Sequence, residues 1–305
     1  MSAPDILCLG EPMVEFVRED AKGRSYRRGF GGDTSNFAIA AARQGASVGY
    51  ITALGNDRFG DALVDLWTGE GIDTTHVIRS DSAPTGIYFV DPDPEARQFT
   101  YYRAGSAASR YRPEDLPREA LSATKLLHVS GITLAISETM REATFAAIEA
   151  CGGAVSLDTN LRPALWPLDT ARAVLDRAIA KSDTVVTSID DCATLYGLSD
   201  PNRIIDAYRA QGPETVLVTL GAGGCRVASG DRRETIPAFP TEAVDSTGAG
   251  DSLAGAFHAW RLETGDVFEA ARRAVIVAAG TVSGLGGIDP IPCREAVLAA
   301  LADAG

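Results

Sequence analysis

Residues 245–251, which read DSTGAGD, combine residue types that suit chemistry on an anion. Two glycines, Gly248 and Gly250, allow the backbone to approach a ligand and to turn its N–H groups toward it. Apolar residues at helical spacing follow at once, so the pattern predicts a helix start, where unpaired N–H groups and the positive end of the helix dipole favour an anion such as a phosphate. Asp251 would be repelled there unless it acts as a general base toward an attacking alcohol; the commoner alternative is a helix cap.

A second polar stretch, residues 31–36 (GGDTSN), stands between a predicted strand and a predicted helix. The carboxylate of Asp33 and the amide of Asn36 suit the hydroxyls of a polyol-like ligand. The structural alternative is that Asp33 or Thr34 caps the helix that follows. The two stretches are candidates for the phosphate end and the hydroxyl-binding end of one site.

The elements that must position these residues follow from hydrophobic periodicity. From about residue 120 onward, short apolar runs alternate with longer amphipathic stretches, which is typical of parallel strands joined by helices. The predicted strands are residues 6–9, 48–54, 126–129, 154–158, 184–187 and 215–219, and the predicted helices are residues 35–44, 138–150 and 170–180. The pattern predicts an α/β fold with a mostly parallel central sheet flanked by helices.

The first third of the chain also contains strand-like pieces that lack helices between them, at residues 13–17, 26–30, 86–90 and 98–102. Residues 91–94 (DPDP) indicate a turn between the last two. Uncovered strands usually pair as a small separate sheet, so we predict a β-sheet lid formed by approximately residues 12–32 and 84–106. The lid is inserted into one domain that spans residues 1–305, because no repeat or linker divides the chain.

Composition excludes several classes of function. The formal net charge of −13 disfavours a nucleic-acid partner, because phosphate backbones are bound by clustered Lys and Arg. The five cysteines are scattered and form no CxxC pair, which favours buried thiols over a disulfide framework or a zinc site. Residues 1–10 lack the pattern of a signal peptide, and no run approaches the ~20 apolar residues of a membrane span. We therefore expect a cytoplasmic protein without a membrane partner.

Two motifs carry a resemblance to a known family. Residues 245–257 (DSTGAGDSLAGAF) resemble the C-terminal signature of the ribokinase-like, or PfkB, carbohydrate kinases. Residues 31–38 (GGDTSNFA), followed by 54–60 (LGNDRFG), are similar to the other signature of that family. The resemblance implies the ribokinase-like fold, which is a Rossmann-like α/β domain with a small β-sheet lid. It implies ATP as phosphate donor and Mg²⁺ with it. It also implies that Asp251 is the base and that Gly248, Ala249 and Gly250 form the anion hole.

The resemblance further implies a nucleotide groove after a strand. The residues it assigns to nucleotide binding are Asn160, Ser188, Thr219, Gly221, Gly223 and Gly224. Glycines after a strand usually serve only to reverse the chain, so residues 217–224 are weak evidence for a nucleotide site by themselves. No Walker motif competes, because the chain contains no Gly-Lys pair.

The metal site departs from the family pattern. Many members carry Asn-x-x-Glu near the metal and phosphates, whereas residues 188–191 here read SIDD. Asp191 supplies the hard oxygen that Mg²⁺ prefers, either directly or through water. The alternative is that Asp190 or Asp191 caps the helix that runs through Leu195. A monovalent cation such as K⁺ near Asp245 is implied by the resemblance alone.

Acceptor-binding residues are also implied by the resemblance. Residues 99–108, 127–132 and 157–166 resemble the branch of the family that acts on 2-keto-3-deoxygluconate, and an arginine in the lid suits a sugar acid because a guanidinium binds a carboxylate in a two-pronged way. The acceptor residues on this basis are Gly32, Asp33, Asn36, Tyr88, Tyr101, Arg103 and Asp289, with Arg162 toward the transferring phosphate or the substrate carboxylate.

Structural alternatives stand beside these assignments. Strand tyrosines such as Tyr88 and Tyr101 usually pack within their sheet, Arg162 could form a surface ion pair that stabilises little, and Asp289 could be an ordinary loop residue. His76, His128 and His258 have no metal-ligand spacing and no nucleophile partner, so they are interpreted as structural.

The hypothesis from sequence is ATP-dependent phosphorylation of 2-keto-3-deoxygluconate to its 6-phosphate, with Asp251 as base. Alternatives are a PfkB kinase for fructose, ribose, a nucleoside or a deoxygluconate isomer, and a sugar-binding protein without chemistry. A Rossmann oxidoreductase would need G-x-G-x-x-G after the first strand, which residues 10–13 (GEPM) cannot supply. Exposed lid edges are often covered by a second copy, so a homodimer or larger assembly is expected.

Overall fold

The computed structural model describes residues 3–20, 22–91 and 98–304. Its strands are β1 (Ile6–Leu9), β2 (Met13–Arg18), β3 (Tyr26–Gly31), β4 (Val48–Gly55), β5 (Val77–Ser80), β6 (Ile87–Asp91), β7 (Gln98–Tyr102), β8 (Leu126–Ser130), β9 (Ala154–Asp158), β10 (Thr184–Ser188), β11 (Thr215–Thr219), β12 (Cys225–Ser229) and β13 (Arg232–Ile236). Its α-helices are α1 (Asp33–Arg43), α2 (Arg58–Gly69), α3 (Arg118–Ala123), α4 (Gly131–Ala135), α5 (Glu138–Ala150), α6 (Leu168–Ile179), α7 (Ile189–Tyr196), α8 (Pro201–Arg209), α9 (Ala249–Thr264), α10 (Val267–Val282) and α11 (Arg294–Ala304).

The larger sheet of the described residues has nine strands in the order β13-β12-β11-β10-β9-β8-β1-β4-β5. Every neighbouring pair from β11 to β5 is parallel, and β12 and β13 add antiparallel strands at one edge. Parallel strands are covered on both faces and therefore need continuous apolar runs, as in β1, whose residues are all buried. The expected mostly parallel sheet is confirmed.

Two hydrophobic cores lie on opposite faces of this sheet. Side chains alternate along a strand, so Cys8 of β1 joins one core and Leu7 and Leu9 join the other. The first core is completed by α1, α9 and α10, and the second by α5, α6 and α8. The predicted layers of helix, sheet and helix are therefore present.

Predicted and observed elements differ mainly at their ends. Helix α1 begins at Asp33 and not at residue 35, and α6 begins at Leu168 and not at residue 170. Helix ends depend on backbone geometry that the spacing of apolar residues does not fix. The earlier start of α1 matters for function, because it brings Asp33 into the first turn of the helix.

The smaller sheet is the lid. Its strands are ordered β3-β2-β6-β7 and all fall within the predicted segments 12–32 and 84–106. Phe16, Phe30 and Ile87 pack against the first core, and the ring of Phe16 meets that of Phe59 edge-on with centroids 5.7 Å apart. The lid is thereby attached to α2. Beyond residue 91, the turn predicted at 91–94 lies outside the described residues.

Helices α1 and α9 approach each other unusually closely. A Cβ atom on Gly255 of α9 would overlap the carbonyl oxygen of Phe37 in α1 and lie 3.0 Å from the Cβ of Ala40. Only glycine permits this backbone contact. Because both helices start one to two turns before it, the contact brings their N-terminal ends together.

Cysteine placement only partly follows expectation. The cysteines of the described residues are free thiols, and Cys8, Cys192 and Cys225 are buried as predicted, whereas Cys151 is half-buried and Cys293 is exposed. A search of the same residues for a helix both long enough and apolar enough to cross a bilayer finds none.

Candidate active site

Polar residues of the candidate site, some of them predicted from the sequence, gather at the carboxyl ends of the parallel strands. Asp158 is the last residue of β9, Ser188 of β10 and Thr219 of β11. Strand β1 lies between β8 and β4, so the chain order reverses at this strand. Ligands of open α/β sheets bind in the crevice outside the carboxyl ends at such a reversal.

The glycine turn at the start of α9 has the expected form. Gly248 precedes the helix with φ 76°, and a Cβ atom there would lie 2.8 Å from the carbonyl oxygen of Gly287. A Cβ atom on Gly250 would meet nothing within 4 Å, so the space in front of this residue is open. The amide of Ala249 donates to the carbonyl of Ser246 at 3.3 Å. The first turn of a helix leaves N–H groups without intrahelical acceptors, which suits an anion placed before the helix start.

Asp251 lies in the first turn of α9 but does not cap it. Its Oδ2 accepts a hydrogen bond from Nδ2 of Asn36 at 2.8 Å, and its Oδ1 accepts a longer one from Nδ2 of Asn160 at 3.4 Å. The capping alternative is therefore wrong for this residue. Burial and the negative charge of Asp33 raise the pKa of Asp251 to about 7, against the opposing effects of Asn36 and Arg162. A carboxylate with a pKa near neutrality is suited to general-base chemistry.

Asn160 joins Asp251 to Asp33. Its Nδ2 donates to Oδ2 of Asp33 at 3.1 Å as well as to Asp251, and its backbone adopts φ 29°, which is uncommon outside glycine. Its own N–H donates to Oδ1 of Asp158 at 3.1 Å. Asn160, which the sequence assigned to nucleotide binding, therefore contacts the acceptor side of the candidate site.

The start of α1 carries no side-chain cap. Gly32 precedes the helix with φ 116°, and neither Asp33 nor Thr34 caps it, which corrects that alternative. Oδ1 of Asp33 accepts from the amide of Thr34 at 2.8 Å, and the Thr34 hydroxyl lies 2.6 Å from that of Tyr50. A Cβ atom on Gly32 would lie 2.7 Å from the carbonyl oxygen of Glu11, so this position needs glycine.

Arg162 lies close enough to Asp251 for its charge to act on that carboxylate. Its side chain is exposed, its Nη1 donates to the carbonyl of Leu161 at 2.9 Å, and it forms no ion pair with any described residue. Its positive charge lowers the pKa values of both Asp251 and Tyr101, against larger effects of burial. The surface ion pair weighed above is absent from the described structure, and the charge of Arg162 acts on one group of α9 and one of the lid.

The lid contributes two tyrosines that pair across β6 and β7. Tyr88 is opposite Tyr101, and their rings stack with centroids 5.5 Å apart. Tyr88 is buried and donates to Oε2 of Glu15 at 2.7 Å, whereas Tyr101 is 45% exposed. Sheet packing accounts for much of Tyr88, but the exposed ring of Tyr101 is available to a ligand.

Arg103 follows β7 directly and is largely buried. Its Nη2 forms an ion pair with Oε2 of Glu11, and its Cζ lies 5.5 Å from the centroid of the Tyr101 ring. Its Nε is buried and finds no hydrogen-bond partner among the described residues. Arg103 thus retains unused donor capacity at the base of the lid.

Asp289 is exposed in the loop before α11. The loop is fastened to the end of α1, because Nη1 of Arg43 donates to the carbonyls of Ile288 at 2.9 Å and Ile291 at 2.7 Å. The same loop approaches the glycine turn at Gly287. Its backbone is therefore held beside the site, with Asp289 next to the held segment.

Asp245 links the glycine turn to that loop. Its Oδ1 accepts from the amide and hydroxyl of Thr247 at 3.0 and 2.7 Å, and its Oδ2 accepts from the amide of Gly286 at 3.1 Å. These bonds give Asp245 a structural task. The K⁺ site near it stays a prediction.

The predicted nucleotide residues surround the end of β11. Gly221 and Gly223 form a single 3₁₀ turn, and a Cβ atom on Gly224, whose φ is 89°, would overlap the carbonyl oxygen of Ile236. The Thr219 hydroxyl donates to the carbonyl of Thr187 at 3.3 Å. Gly224 is thus required by the turn itself, while the open side of Gly221 leaves room for a ligand.

Asp191 does not cap α7. The cap is Ser188, whose hydroxyl accepts from the amide of Asp191 at 3.0 Å, so capping by Asp190 or Asp191 is wrong. Oδ2 of Asp191 accepts from the Thr159 hydroxyl and the Leu161 amide, both at 3.0 Å. Asp191 therefore holds the segment that leads to Asn160 and Arg162.

The carboxylate oxygens of Asp191 and Asp158 are of the kind that Mg²⁺ prefers as ligands. No described residue donates a hydrogen bond to Oδ1 of Asp191 or to Oδ2 of Asp158. Burial, followed by the charges of Asp251, Asp191 and Asp33, raises the pKa of Asp158 well above its usual range, and a cation would offset that repulsion. The described ranges contain no group of three or more His, Cys, Asp or Glu side chains that could hold a metal ion. Mg²⁺ is usually bound by one or two carboxylates together with substrate phosphates and water.

Sequence reasoning gave no role to Glu11 or Asp158. Both are carboxylates that follow or end a buried parallel strand, and both are buried themselves. The available signal was a carboxylate at or within two residues of the end of an apolar strand, since the carboxyl ends of these strands border the crevice. The partner of Glu11 is 92 residues away in the chain, so the sequence could not supply it.

The histidines lie away from the chemistry. His128 and His258 are both buried beside the Phe37 ring, at centroid distances of 3.6 and 5.9 Å. Burial lowers the pKa of both imidazoles, so they are neutral near pH 7. Their surroundings agree with the structural interpretation.

Comparison with known proteins gives the class to which this architecture belongs. Residues 3–294 match the pattern of the pfkB family carbohydrate kinases. The chain therefore belongs to this family of sugar kinases, as the two motifs indicated. A 2-dehydro-3-deoxygluconokinase from Thermoproteus tenax is 37% identical over 303 residues, which cover 95% of this chain and 92% of that relative.

Solved structures agree with the fold. A fructokinase with bound ATP from Xylella fastidiosa superposes with a TM-score of 0.89 at 26% identity, covering 98% of each chain. A putative ribokinase II from Escherichia coli, solved with ATP and Mg²⁺, superposes with a TM-score of 0.90 at 24% identity, covering 99% of this chain and 100% of that one. The ribokinase-like fold predicted from sequence is confirmed.

Proposed function

We propose that this kinase transfers the γ-phosphoryl group of ATP to the terminal hydroxyl of 2-keto-3-deoxygluconate. The observation that carries the reaction type is Asp251, a carboxylate held by the amides of Asn36 and Asn160 beside an open glycine turn. The acceptor is supported by the named activity of the T. tenax relative and by Arg103, whose free donor capacity suits a carboxylate.

In the proposed step the acceptor oxygen attacks the γ-phosphorus while its proton passes to Asp251. The bond from phosphorus to the bridging oxygen breaks, so that ADP leaves and the 6-phosphate forms. The N–H groups of Gly248 and Gly250, together with Arg162, would offset the charge on the transferring group, and the N–H of Ala249 would join them by exchanging its long bond to Ser246 for the phosphate. When bound, Mg²⁺ neutralises charge on the β- and γ-phosphates, and Asp191 with Asp158 would hold it directly or through water.

The acceptor would lie between α1 and the lid. Gly32, Asp33 and Asn36 would bind its hydroxyls from one side, and Tyr88, Tyr101 and Arg103 would bind it from the lid. Asp289 would reach it from the fastened loop. On the donor side, the nucleotide would lie along the turn after β11, against Ser188, Thr219, Gly221, Gly223 and Gly224. Closure of the lid over both would exclude water that otherwise hydrolyses ATP.

The test is a coupled ADP-release assay with 2-keto-3-deoxygluconate, its galactonate epimer, fructose, ribose and adenosine as acceptors. We expect the highest kcat/KM with 2-keto-3-deoxygluconate. A higher value for a neutral sugar or for adenosine would contradict the sugar-acid assignment but leave the kinase intact. ADP release with none of the acceptors would favour a sugar-binding protein without chemistry.

The homo-oligomer expected from the sequence remains part of this proposal. Aromatic side chains on the lid are exposed, including Tyr26 at 40% and Tyr102 at 63%, and a second copy would cover them. Analytical ultracentrifugation should show a dimer or a larger assembly. A single monomeric species at micromolar concentration would contradict it.

A further inference from the structure

Glu11 is a buried carboxylate at the passage from the main sheet into the lid. It is two residues after β1 and two before β2, and its side chain is 0% exposed. Its Oε2 pairs with Nη2 of Arg103, and its Oε1 accepts from the Ser106 hydroxyl at 3.0 Å. The Glu11 side chain therefore joins the segment that enters the lid, between β1 and β2, to the segment that leaves the lid after β7.

The environment of Glu11 makes this pairing important. Burial raises the pKa of Glu11, and Arg103 and Ser106 act against that shift. A buried carboxylate remains charged only when such partners compensate its lost hydration. Arg103, at 12% exposure of its side chain, depends equally on Glu11, because no second carboxylate among the described residues pairs with it.

The pair also fixes where the arginine points. A guanidinium is planar and carries five donors, so a bond from Nη2 to Glu11 restricts the directions of the remaining four. Next to it lies the ring of Tyr101, whose pKa is raised by burial and lowered by the charges of Arg103 and Arg162. These are residues of the proposed acceptor site.

We infer that Glu11 is a positioning residue for acceptor recognition: it anchors Arg103 at the base of the lid so that the free donors of the guanidinium meet the carboxylate of a sugar acid. This inference rests on the proposed function. Glu11 acts through Arg103 and does not itself take part in phosphoryl transfer. Its removal should therefore weaken acceptor binding more than turnover.

The central variant is Glu11→Gln, which preserves shape but removes the charge. We expect the KM for 2-keto-3-deoxygluconate to rise about tenfold, because a tenfold loss corresponds to one weakened charge-assisted hydrogen bond. The kcat should change less than about threefold and the KM for ATP less than about twofold. The matched control is Glu234→Gln, which removes an ion-paired Glu from β13 and should leave all three constants unchanged. A fall in kcat at unchanged KM would overturn the inference, since it indicates general damage.

A double-mutant cycle separates positioning from simple fold support. In an Arg103→Ala background, Glu11→Gln should add less than about a twofold loss in kcat/KM, because the residue it positions is gone. Losses that multiply independently would overturn the inference. Glu11→Asp is tested in case the Gln variant does not fold, because it keeps the buried charge on a shorter side chain. The KM of the Glu11→Asp variant for the sugar acid should rise. An unchanged KM would contradict the positioning role.

Failure of the proposed function gives a different result from failure of the role inferred for Glu11. Wild-type turnover of 2-keto-3-deoxygluconate is measured first, and its absence overturns the acceptor assignment. The cycle is then run with whichever acceptor the wild type uses, where independent losses still reject the coupling of Glu11 to Arg103. A wild type that uses the sugar acid, with a Glu11→Gln variant that matches it, rejects the role of Glu11 alone.

Discussion

The phosphate end and the acceptor end of this site are built in different ways. The phosphate end is one contiguous turn, residues 245–251, in which backbone N–H groups and one carboxylate lie at the start of α9. The acceptor end is assembled from side chains of α1, β6, β7 and the segments after β1, β7 and β9. The first arrangement suits chemistry common to many acceptors, and the second allows the acceptor to change without disturbing that chemistry.

The comparison is tested most strongly at the phosphate end. Asp251→Asn removes the base but keeps the shape, so kcat should fall about 10²- to 10³-fold, on the order of 3 kcal/mol in the barrier, with substrate KM values little changed. Steady-state kinetics with saturating ATP measure this. Asp266→Asn is the control, because Asp266 only caps α10 through the amides of Phe268 and Glu269 and Asn caps equally well. Full activity of Asp251→Asn would reject the base assignment.

The acceptor end should respond selectively. Arg103→Ala removes charge-assisted hydrogen bonds of about 1.5–3 kcal/mol, so kcat/KM for 2-keto-3-deoxygluconate should fall roughly 10- to 100-fold, and any activity toward fructose should fall much less. Both acceptors are compared in the ADP-release assay. Arg112→Ala is the control, because Arg112 lies in an exposed ion pair with Glu114 and should have no effect. Equal losses for both acceptors would remove the carboxylate argument.

The contact between α1 and α9 connects the two ends. Gly255→Ala would force these helices apart, so the free energy of unfolding should fall by about 1–3 kcal/mol and activity should fall with it, because Asn36 would withdraw from Asp251. Gly69→Ala, at an open position in α2, should be neutral or stabilising by up to ~1 kcal/mol. Urea unfolding of both variants measures the difference. Equal stability of the two would show that the close approach is not needed.

The smallest effect expected is a shift in pH dependence. Asp251 must be unprotonated to act as a base, and its pKa is raised to about 7 by burial and then by Asp33, so kcat/KM should fall as the pH drops below about 7. Asp33→Asn removes a neighbouring negative charge and should move this acid limb to lower pH. Asn36→Ala removes a donor to the ionised carboxylate and should move it to higher pH. The measured quantity is the apparent pKa of the acid limb in the pH profile of kcat/KM, and not the maximum of kcat/KM. The same apparent pKa in the wild type and both variants would show that the limb does not report on Asp251.

Much of the fold was predictable because its signals are local. The apolar runs of β8, β9 and β11, the helix at 138–150 and the glycine turn before α9 were all identified within a residue or two. Caps were predicted less well. Asp33, Asp191 and Asp251 are each typical cap residues near helix starts, yet their carboxylates accept hydrogen bonds from side chains outside their own helices, Asn160, Thr159 and Asn36 respectively.

The sequence by itself determined the phosphate turn, the alternation of strands and helices and the lid segments, because each depends on neighbours along the chain. Only the tertiary structure decided that Asn160 connects Asp33 to Asp251, that Asp158 and Asp191 lie close enough to affect each other and that Glu11 pairs with Arg103. These contacts join strand ends far apart in the chain. Periodicity predicts which face of an element is buried, but the partner of a buried charge is set by how the sheet and the lid come together.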